Sequence, residues 1–235
     1  MLAIAIDSSQ DICALALGTE SQLVAEYHFH HKMSLLRRML PNIDELLSDA
    51  GLSKGDIEGV VISLGPGSFT GLRIGVTTAK SLAYVLGKPI VGIGALDAIA
   101  RGVPCPSDGI VCPMIFARAD EVYWALFDAR SNERLTDCAV SRIDEVLDAA
   151  GERGTRAAFV GTGARKNLEV ITARFGEEAV VRDSWYDFAR GAALLSLGLA
   201  RLEMGQHDDP MTLAPLYVRK PTPQVRLEAG KIVDH

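Results

Sequence analysis

The feature that most limits how this chain can fold is an order of strand-like and helix-like segments that it runs through twice. Leu2 to Asp7, Ile12 to Gly18 and Leu23 to His30 read as three short strands. The turn formers Ser-Ser-Gln-Asp and Gly-Thr-Glu-Ser part them, so neighbouring strands should be antiparallel. Met33 to Ala50 then changes to helical period, with Leu36, Leu40, Ile43, Leu47 and Ala50 as its expected core stripe and Gly51 as a stop. Gly59 to Leu64 is an apolar run of strand length, Thr70 to Leu86 a second helix ended by Gly87, and Pro89 to Gly94 another buried strand.

Residues 102–109, Gly-Val-Pro-Cys-Pro-Ser-Asp-Gly, mark a linker, and beyond it the order begins again. Ile110 to Phe116, Val122 to Asp128 and Arg134 to Val140 read as strands. Ser141-Arg-Ile-Asp144 has the form of a capping box that would open a helix through Ala150. Ala157 to Gly161 and Ala179 to Val181 are expected strands, and Ala164 to Phe175 and Tyr186 to Met204 expected helices. A β-β-β-α-β-α half used twice predicts an α/β fold of actin-like ATPase (RNase H-like) plan, in which nucleotide lies in the cleft between two lobes. The expected boundaries are residues 1–102 for the N-terminal lobe with its partner-interface helices, 103–210 for the C-terminal lobe, and 211–235 for an extended tail. The tail's prolines suit an extended arm, and its Arg219, Lys220, Arg226 and Lys231 suit a solvated end or a phosphate contact.

Composition narrows the function classes. With 48% hydrophobic and 23% charged residues the chain resembles neither a disordered nor a membrane protein. A net charge of −6 argues against broad affinity for nucleic acid. The start, Met1 to Ser9, has no basic region and meets Asp7 early, and no apolar stretch approaches the roughly 18 residues of a membrane span, so the expected location is cytoplasmic. Cys13, Cys105, Cys112 and Cys138 show no CxxC spacing and read as structural thiols.

Asp7-Ser8-Ser9 ends the first strand, where an actin-like ATPase places an acid beside metal-bound phosphate. The same triplet equally closes an ordinary β-turn. The matching place in the second half reads Phe116-Ala-Arg-Ala-Asp120, with an aromatic first position and its acid four residues late, so half of a magnesium and phosphate clamp is missing. Gly161-Thr-Gly163 after a strand could approach an adenosine or simply turn the chain. Asp7, Ser8, Ser9, Gly161 and Gly163 thus form the expected degenerate nucleotide site, and no residue is expected to be catalytic or to bind metal. His28 and His30 lack the further ligands a metal centre needs, and no HExxH occurs.

Gly65-Pro-Gly-Ser-Phe-Thr-Gly-Leu-Arg-Ile-Gly75 is the densest local signal. It fails the Walker A spacing, and Pro66 and Thr70 stand where a nucleophile elbow needs glycine. It supports a sharp strand-to-helix turn capped by Ser68 or Thr70. Along the helix Gly71, Gly75, Ala79 and Ala83 form a small-residue stripe, with Leu72, Ile74, Val76, Leu82, Val85 and Leu86 on the other sides. A helix apolar all round is buried on both faces. Met33, Leu35, Met39 and Leu46 widen the first helix in the same way. The expected partner surface is therefore Met33, Leu35, Leu36, Met39, Leu40 and Ile43 with Gly71, Leu72, Gly75, Val76, Ala79 and Leu82.

The Gly65–Gly75 segment closely resembles the TsaB (YeaZ) family of bacterial tRNA-modification proteins. Ala5-Ile-Asp7-Ser8-Ser9, Leu40-Pro-Asn-Ile-Asp-Glu-Leu-Leu47, Ala117-Arg118 with Glu121-Val-Tyr-Trp124, and Leu213-Ala-Pro-Leu-Tyr-Val-Arg219 support the resemblance. It implies a two-lobed actin-like fold and a role in forming N6-threonylcarbamoyladenosine at position 37 of tRNAs. It further implies a TsaD-like catalytic partner that holds the metal, bound through the helices of the N-terminal lobe, and a TsaE-like ATPase. Contact with tRNA would be indirect and no membrane is involved. The interface helices could pair with themselves as a homodimer when the partner is missing. No cofactor is expected on this chain alone, and a place for ATP or ADP is left open at a subunit junction. Two departures stand out: the histidine-serine pair usual before the first helix is replaced around Met33-Ser34, and the usual aspartate before Ala117-Arg118 is Phe116. The leading expectation is a non-catalytic subunit. The alternatives are a free-standing ATPase or small-molecule kinase using Asp7, and a serine peptidase centred on Ser68, for which no paired base can be named.

Overall fold

The structure, a computed structural model, describes residues 1–31, 34–104, 108–154, 156–179 and 183–218. The first half runs Ala3–Asp7 (β1), Ile12–Gly18 (β2), Leu23–His30 (β3), Leu35–Asp49 (α1), Gly59–Ser63 (β4), Phe69–Leu86 (α2), Ile90–Ile93 (β5) and Ala95–Gly102 (α3). The second half runs Ile110–Arg118 (β6), Glu121–Trp124 (β7), Phe127–Asp128 (β8), Ala139–Arg142 (β9), Ile143–Gly151 (α4), Ala157–Val160 (β10), Thr162–Lys166 (α5), Leu168–Phe175 (α6) and Gly191–Glu203 (α7).

The first sheet has the order β3-β2-β1-β4-β5, antiparallel across β1, β2 and β3 and parallel across β1, β4 and β5. Helices cover both faces, which is why β1 and β4 read as continuous apolar runs. Side chains divide by strand alternation: Ile4, Ile6, Leu15 and Ile62 pack under α1 and α2, while Ala3, Ala5, Ala16 and Val61 face α3 and α7. The small residues on that second face let α7 lie close. A Cβ at its Gly198 would sit 2.3 Å from the Val61 methyls, and one at Gly191 would sit 2.9 Å from Ala16. α7 thus returns from the second half of the chain to cover the first sheet.

The second sheet has the order β10-β6-β7-β9, with β8 paired to β6. Val111, Ile115, Phe127 and Val160 share the central core with α3 and α7, and Cys112, Met114, Trp124 and Phe159 face the outer helices α4 to α6. The result is two actin-like lobes with α3 and α7 between their sheets. No helix among the described residues is long and apolar enough to cross a membrane.

Several expectations shift in the second half. The strand expected over 122–128 is two strands, β7 and β8, pairing different lengths of β6. The strand expected over 134–140 falls at Ala139–Arg142, where Ser141 pairs with Val122. Ser141 is therefore a ladder residue, and α4 begins after Arg142 without a side-chain cap. The helix expected over 164–175 breaks at Asn167, whose side-chain amide donates to the Gly163 carbonyl. α7 starts at Gly191, because Ser184–Tyr186 forms a separate 3-10 turn. Residues 177–179 also form a 3-10 turn, so Ala179 is not in a strand, and 180–182 lie outside the described residues. Cys13 and Cys112 are buried, Cys138 is half-buried with its thiol pushed up to about 11 by burial, and Cys105 lies outside the described residues. So do Met33 and the tail cations Arg219, Lys220, Arg226 and Lys231.

Candidate functional site

Asp7, Ser8 and Ser9 stand at the end of β1, as expected, but all three are buried, Asp7 to 1% exposure. Asp7 closes its own turn: Oδ1 accepts from the Ser9 amide at 3.0 Å and from Ser9 Oγ at 2.9 Å, and Oδ2 lies 3.1 Å from the same hydroxyl. Burial pushes the Asp7 carboxyl above the ordinary aspartate range, outweighing the opposing pull of Ser63, Ser9 and His28. A metal-side acid has to be open to its ion; this one is buried, and its burial disfavours the charged form.

The Gly65–Gly75 segment explains the closure. Gly65 takes φ +92° to turn the chain out of β4, and Ser68 caps α2 by accepting the Gly71 amide. The Ser68 amide donates to the Ser9 carbonyl at 2.6 Å. A Cβ at Gly67 would lie 2.0 Å from that carbonyl oxygen, one at Gly71 2.2 Å from Ser8 O, and one at Gly75 2.0 Å from Ser8 Oγ. Ser8 Oγ in turn donates to Gly71 O. The small-residue stripe is thus an internal seat for the β1 turn.

In the second lobe, the place of a second acid holds Phe116. Its amide donates to Thr162 Oγ1, and the Lys166 ammonium sits 3.6 Å from its ring centroid. Gly161 and Gly163 are also packing devices. Gly161 has φ +98°, and a Cβ there would meet Met114 O at 2.3 Å; at Gly163 it would meet Met114 and Val122 at 2.9 Å. These glycines bring α5 against β6 rather than a ligand against the chain. Of the five residues expected at a degenerate nucleotide site, Asp7, Ser8 and Ser9 cluster against α2, while Gly161 and Gly163 sit in the other lobe. These residues do not fit a magnesium-held phosphate. No group of three or more His, Cys, Asp or Glu positioned for a metal occurs among the described residues. His28 pairs with Glu26 at 3.1 Å.

The helix faces need correction. Leu35, Met39, Ile43, Gly71, Leu72, Gly75, Val76, Ala79 and Leu82, expected at a partner surface, are buried inside this chain. Side chains already packed on their own sheet cannot also meet a partner. On α1 the expected core stripe holds for Ile43 and Leu47, which are buried, but not for Leu36 and Leu40, which are 73% and 52% exposed and were also expected at the partner surface. Leu35, Met39, Ile43, Leu46 and Leu47 are all buried, and Leu47 falls between Leu36 and Leu40 around the helix, so the exposed pair is open because it lies in the first turns of α1 and not because it lies on another face. On α2, Tyr84 and Val85 are the large exposed apolar side chains, at the end of the helix, with Phe69 partly exposed at its start. The exposed large apolar side chains of the two helices are therefore Leu36 and Leu40 near the start of α1, and Phe69, Tyr84 and Val85 at the two ends of α2.

A strap that sequence reading missed runs along the other edge of α2. Asp208 bridges to Ile90, the Leu216 amide donates to Leu64 O, and Lys80 donates to Leu213 O at 2.9 Å. Tyr217 then packs on Phe69, with the Arg73 guanidinium 4.0 Å from the Phe69 centroid. Nor did the sequence signal Glu26, which accepts from His28, Arg190 and the Ala192 amide at the start of α7.

Two mixed sheets with helices between them, and a site lacking both an open acid and its partner, define an actin-like protein without the usual phosphate-gripping residues. Residues 30–180 match the family model described as TsaD, tRNA N6-adenosine threonylcarbamoyltransferase. The tRNA threonylcarbamoyladenosine biosynthesis protein TsaB of Bacillus subtilis is 28% identical over 93% of this chain and 94% of its own length. The Escherichia coli protein of the same name is 33% identical over 56% of this chain and 57% of its own length. A Pseudomonas aeruginosa crystal structure, described as an uncharacterized protein with similarity to peptidase YEAZ, superposes with TM-score 0.79 at 25% identity, covering 93% of this chain and 99% of that one. A Clostridium difficile 2-hydroxyisocaproyl-CoA dehydratase activator shares the fold alone, at TM-score 0.51 and 14% identity, over 89% and 99% of the two chains. This chain belongs to the TsaB (YeaZ) family.

Proposed function

We propose that this chain is a non-catalytic subunit of the machinery that forms N6-threonylcarbamoyladenosine in tRNA, binding and stabilising a TsaD-like catalytic paralogue. The names of the relatives carry the pathway. One observation carries the absence of chemistry: Asp7 is buried, raised and bound to its own turn, with Phe116 where a second acid would stand. A free-standing ATPase or kinase needs both acids at its phosphates. The docking surface is the outward side of α1 and α2, around Leu36, Leu40, Tyr84 and Val85, which a lone domain would leave wet. A stable pair would bury roughly 1,600 Å² or more there. A TsaE-like ATPase joins the assembly, any ATP or ADP lies at a subunit junction, tRNA is reached through the partner, and the chain works in the cytoplasm. In isolation the same helices pair two copies.

Mixing the chain with a TsaD-like protein on a sizing column tests this. A 1:1 species that forms at micromolar concentration is expected. Two separate peaks at every ratio would remove the basis for the reading.

A further inference from the structure

A groove of about 530 Å³ runs between α2 and the strap that follows α7. α2 lines it with Arg73, Val76 and Lys80, and the strap lines it with Leu213, Pro215 and Tyr217. Residues seven apart on a helix share a face about 10 Å from one another, so Arg73 and Lys80 stand as two cations with Val76 between them. No Asp or Glu is among the described lining residues.

Both cations are held in place by uncharged groups. Arg73 Nε donates to the Tyr217 hydroxyl at 3.3 Å while the guanidinium lies over the Phe69 ring, which leaves both terminal nitrogens without a partner among the described residues. Two parallel N–H donors of that kind make the fork that a carboxylate fits. Lys80 Nζ donates to Leu213 O at 2.9 Å, and its charge likewise meets no carboxylate among the described residues. The amides of Ala214 and Tyr217 donate to no protein acceptor there either. On a chain of net charge −6 this groove is a local exception, a short positive face with donors to spare.

The two cations are pinned to different strap residues, so two carboxylates satisfy them better than one small anion does. A polynucleotide gains its affinity from many cations at once, and here there are two on a chain of the wrong overall sign. Between them Val76, Leu213 and Pro215 offer an apolar wall to side chains. We propose that this groove binds an acidic segment of a partner protein, with carboxylates on Arg73 and Lys80 and apolar side chains against the wall between them. None of Leu36, Leu40, Tyr84 and Val85 lines it, so it is separate from the surface proposed above for the catalytic partner.

The experiment follows fluorescence anisotropy of a dye-labelled ten-residue peptide of glutamate, leucine and glycine on the full chain at low salt, with glutamine in place of every glutamate as the control. The acidic peptide should bind with Kd on the order of 0.1 mM and the control at least ten-fold more weakly. Arg73→Gln should weaken the acidic peptide at least five-fold, and Arg73→Lys, which keeps the charge but not the fork, should fall between. Thr77→Glu, at an exposed position on the same wall, should weaken it as much with thermal unfolding unchanged. A ten-nucleotide single-stranded RNA should bind more weakly than the acidic peptide, and 1 mM inorganic phosphate should not displace it. Equal binding of the two peptides, tighter binding of the RNA, displacement by phosphate, no acidic-peptide binding below 10 mM, or folded variants that bind like the parent each overturn the proposal.

Discussion

Replacing Leu36 and Leu40 together by alanine separates a docking surface from a structural one. The two side chains leave about 1.25 leucines' worth of surface in water, which at ~1.5–3 kcal/mol per buried leucine corresponds to about 2–4 kcal/mol if a partner covers them. The Kd for a TsaD-like partner should then rise by between about 30-fold and several hundred-fold. Folding should be nearly untouched, because surface substitutions of this kind stay within about 0.5 kcal/mol. Leu35→Ala, one position away but buried, should do the reverse: it opens a cavity under α1 and lowers stability by about 2–4 kcal/mol. Calorimetric titration with the partner and urea unfolding of each variant give the two numbers. A double variant that binds within three-fold of the parent, with its fold intact, would refute the reasoning.

Gly71→Ala places a methyl 2.2 Å from Ser8 O, so despite alanine's better helix propensity it should cost on the order of 2–3 kcal/mol, measured by urea unfolding. Asp7→Asn should be tolerated, and its stability relative to the parent should grow with pH. The parent's carboxyl is raised by burial, so its charged form is the one the fold disfavours, and unfolding at pH 5 and pH 8 reads the difference. Glu26 behaves oppositely: although burial opposes it, the His28 and Ala192 hydrogen bonds, helped by Arg190, lower its pKa to about 2 from an ordinary 4.5. Its contribution is present above pH ~4.5 and is lost as pH falls towards ~2, amounting to about 2 kcal/mol once screening at its solvent-facing edge is discounted. Glu26→Gln should remove that slope in acid unfolding.

The first lobe was legible because its signals were redundant. β2 and β3 run over the residues expected, since each run ends in turn formers, although β2 is buried and β3 is largely an open edge strand. The second lobe's sheet is more irregular. β7 and β8 both pair with β6, so the apolar run over 122–128 hides an interruption of one ladder at Ala125 and Leu126. Ser141 carried a good helix-start signal but was claimed by the ladder to Val122. α3 passed unnoticed, being eight residues between a strand and a proline-rich stretch. At the site, the sequence placed Asp7 at a strand end but could not tell that α2 would close over it, because that depends on the glycines fitting Ser8 and Ser9 at backbone distance. On α1 the exposed Leu36 and Leu40 share an angular range with the buried Leu47, so what leaves them open is their place in the first turns of the helix, which periodicity alone does not report.

The most direct test of an accessory role is threonylcarbamoyl transfer to tRNA reconstituted from purified components. With a TsaD-like subunit, a TsaE-like ATPase and the activated threonylcarbamoyl donor, product should form only when this chain is added. The Asp7→Asn variant should support it as well as the parent. Full transfer in the chain's absence, or its loss with Asp7→Asn, would contradict the account.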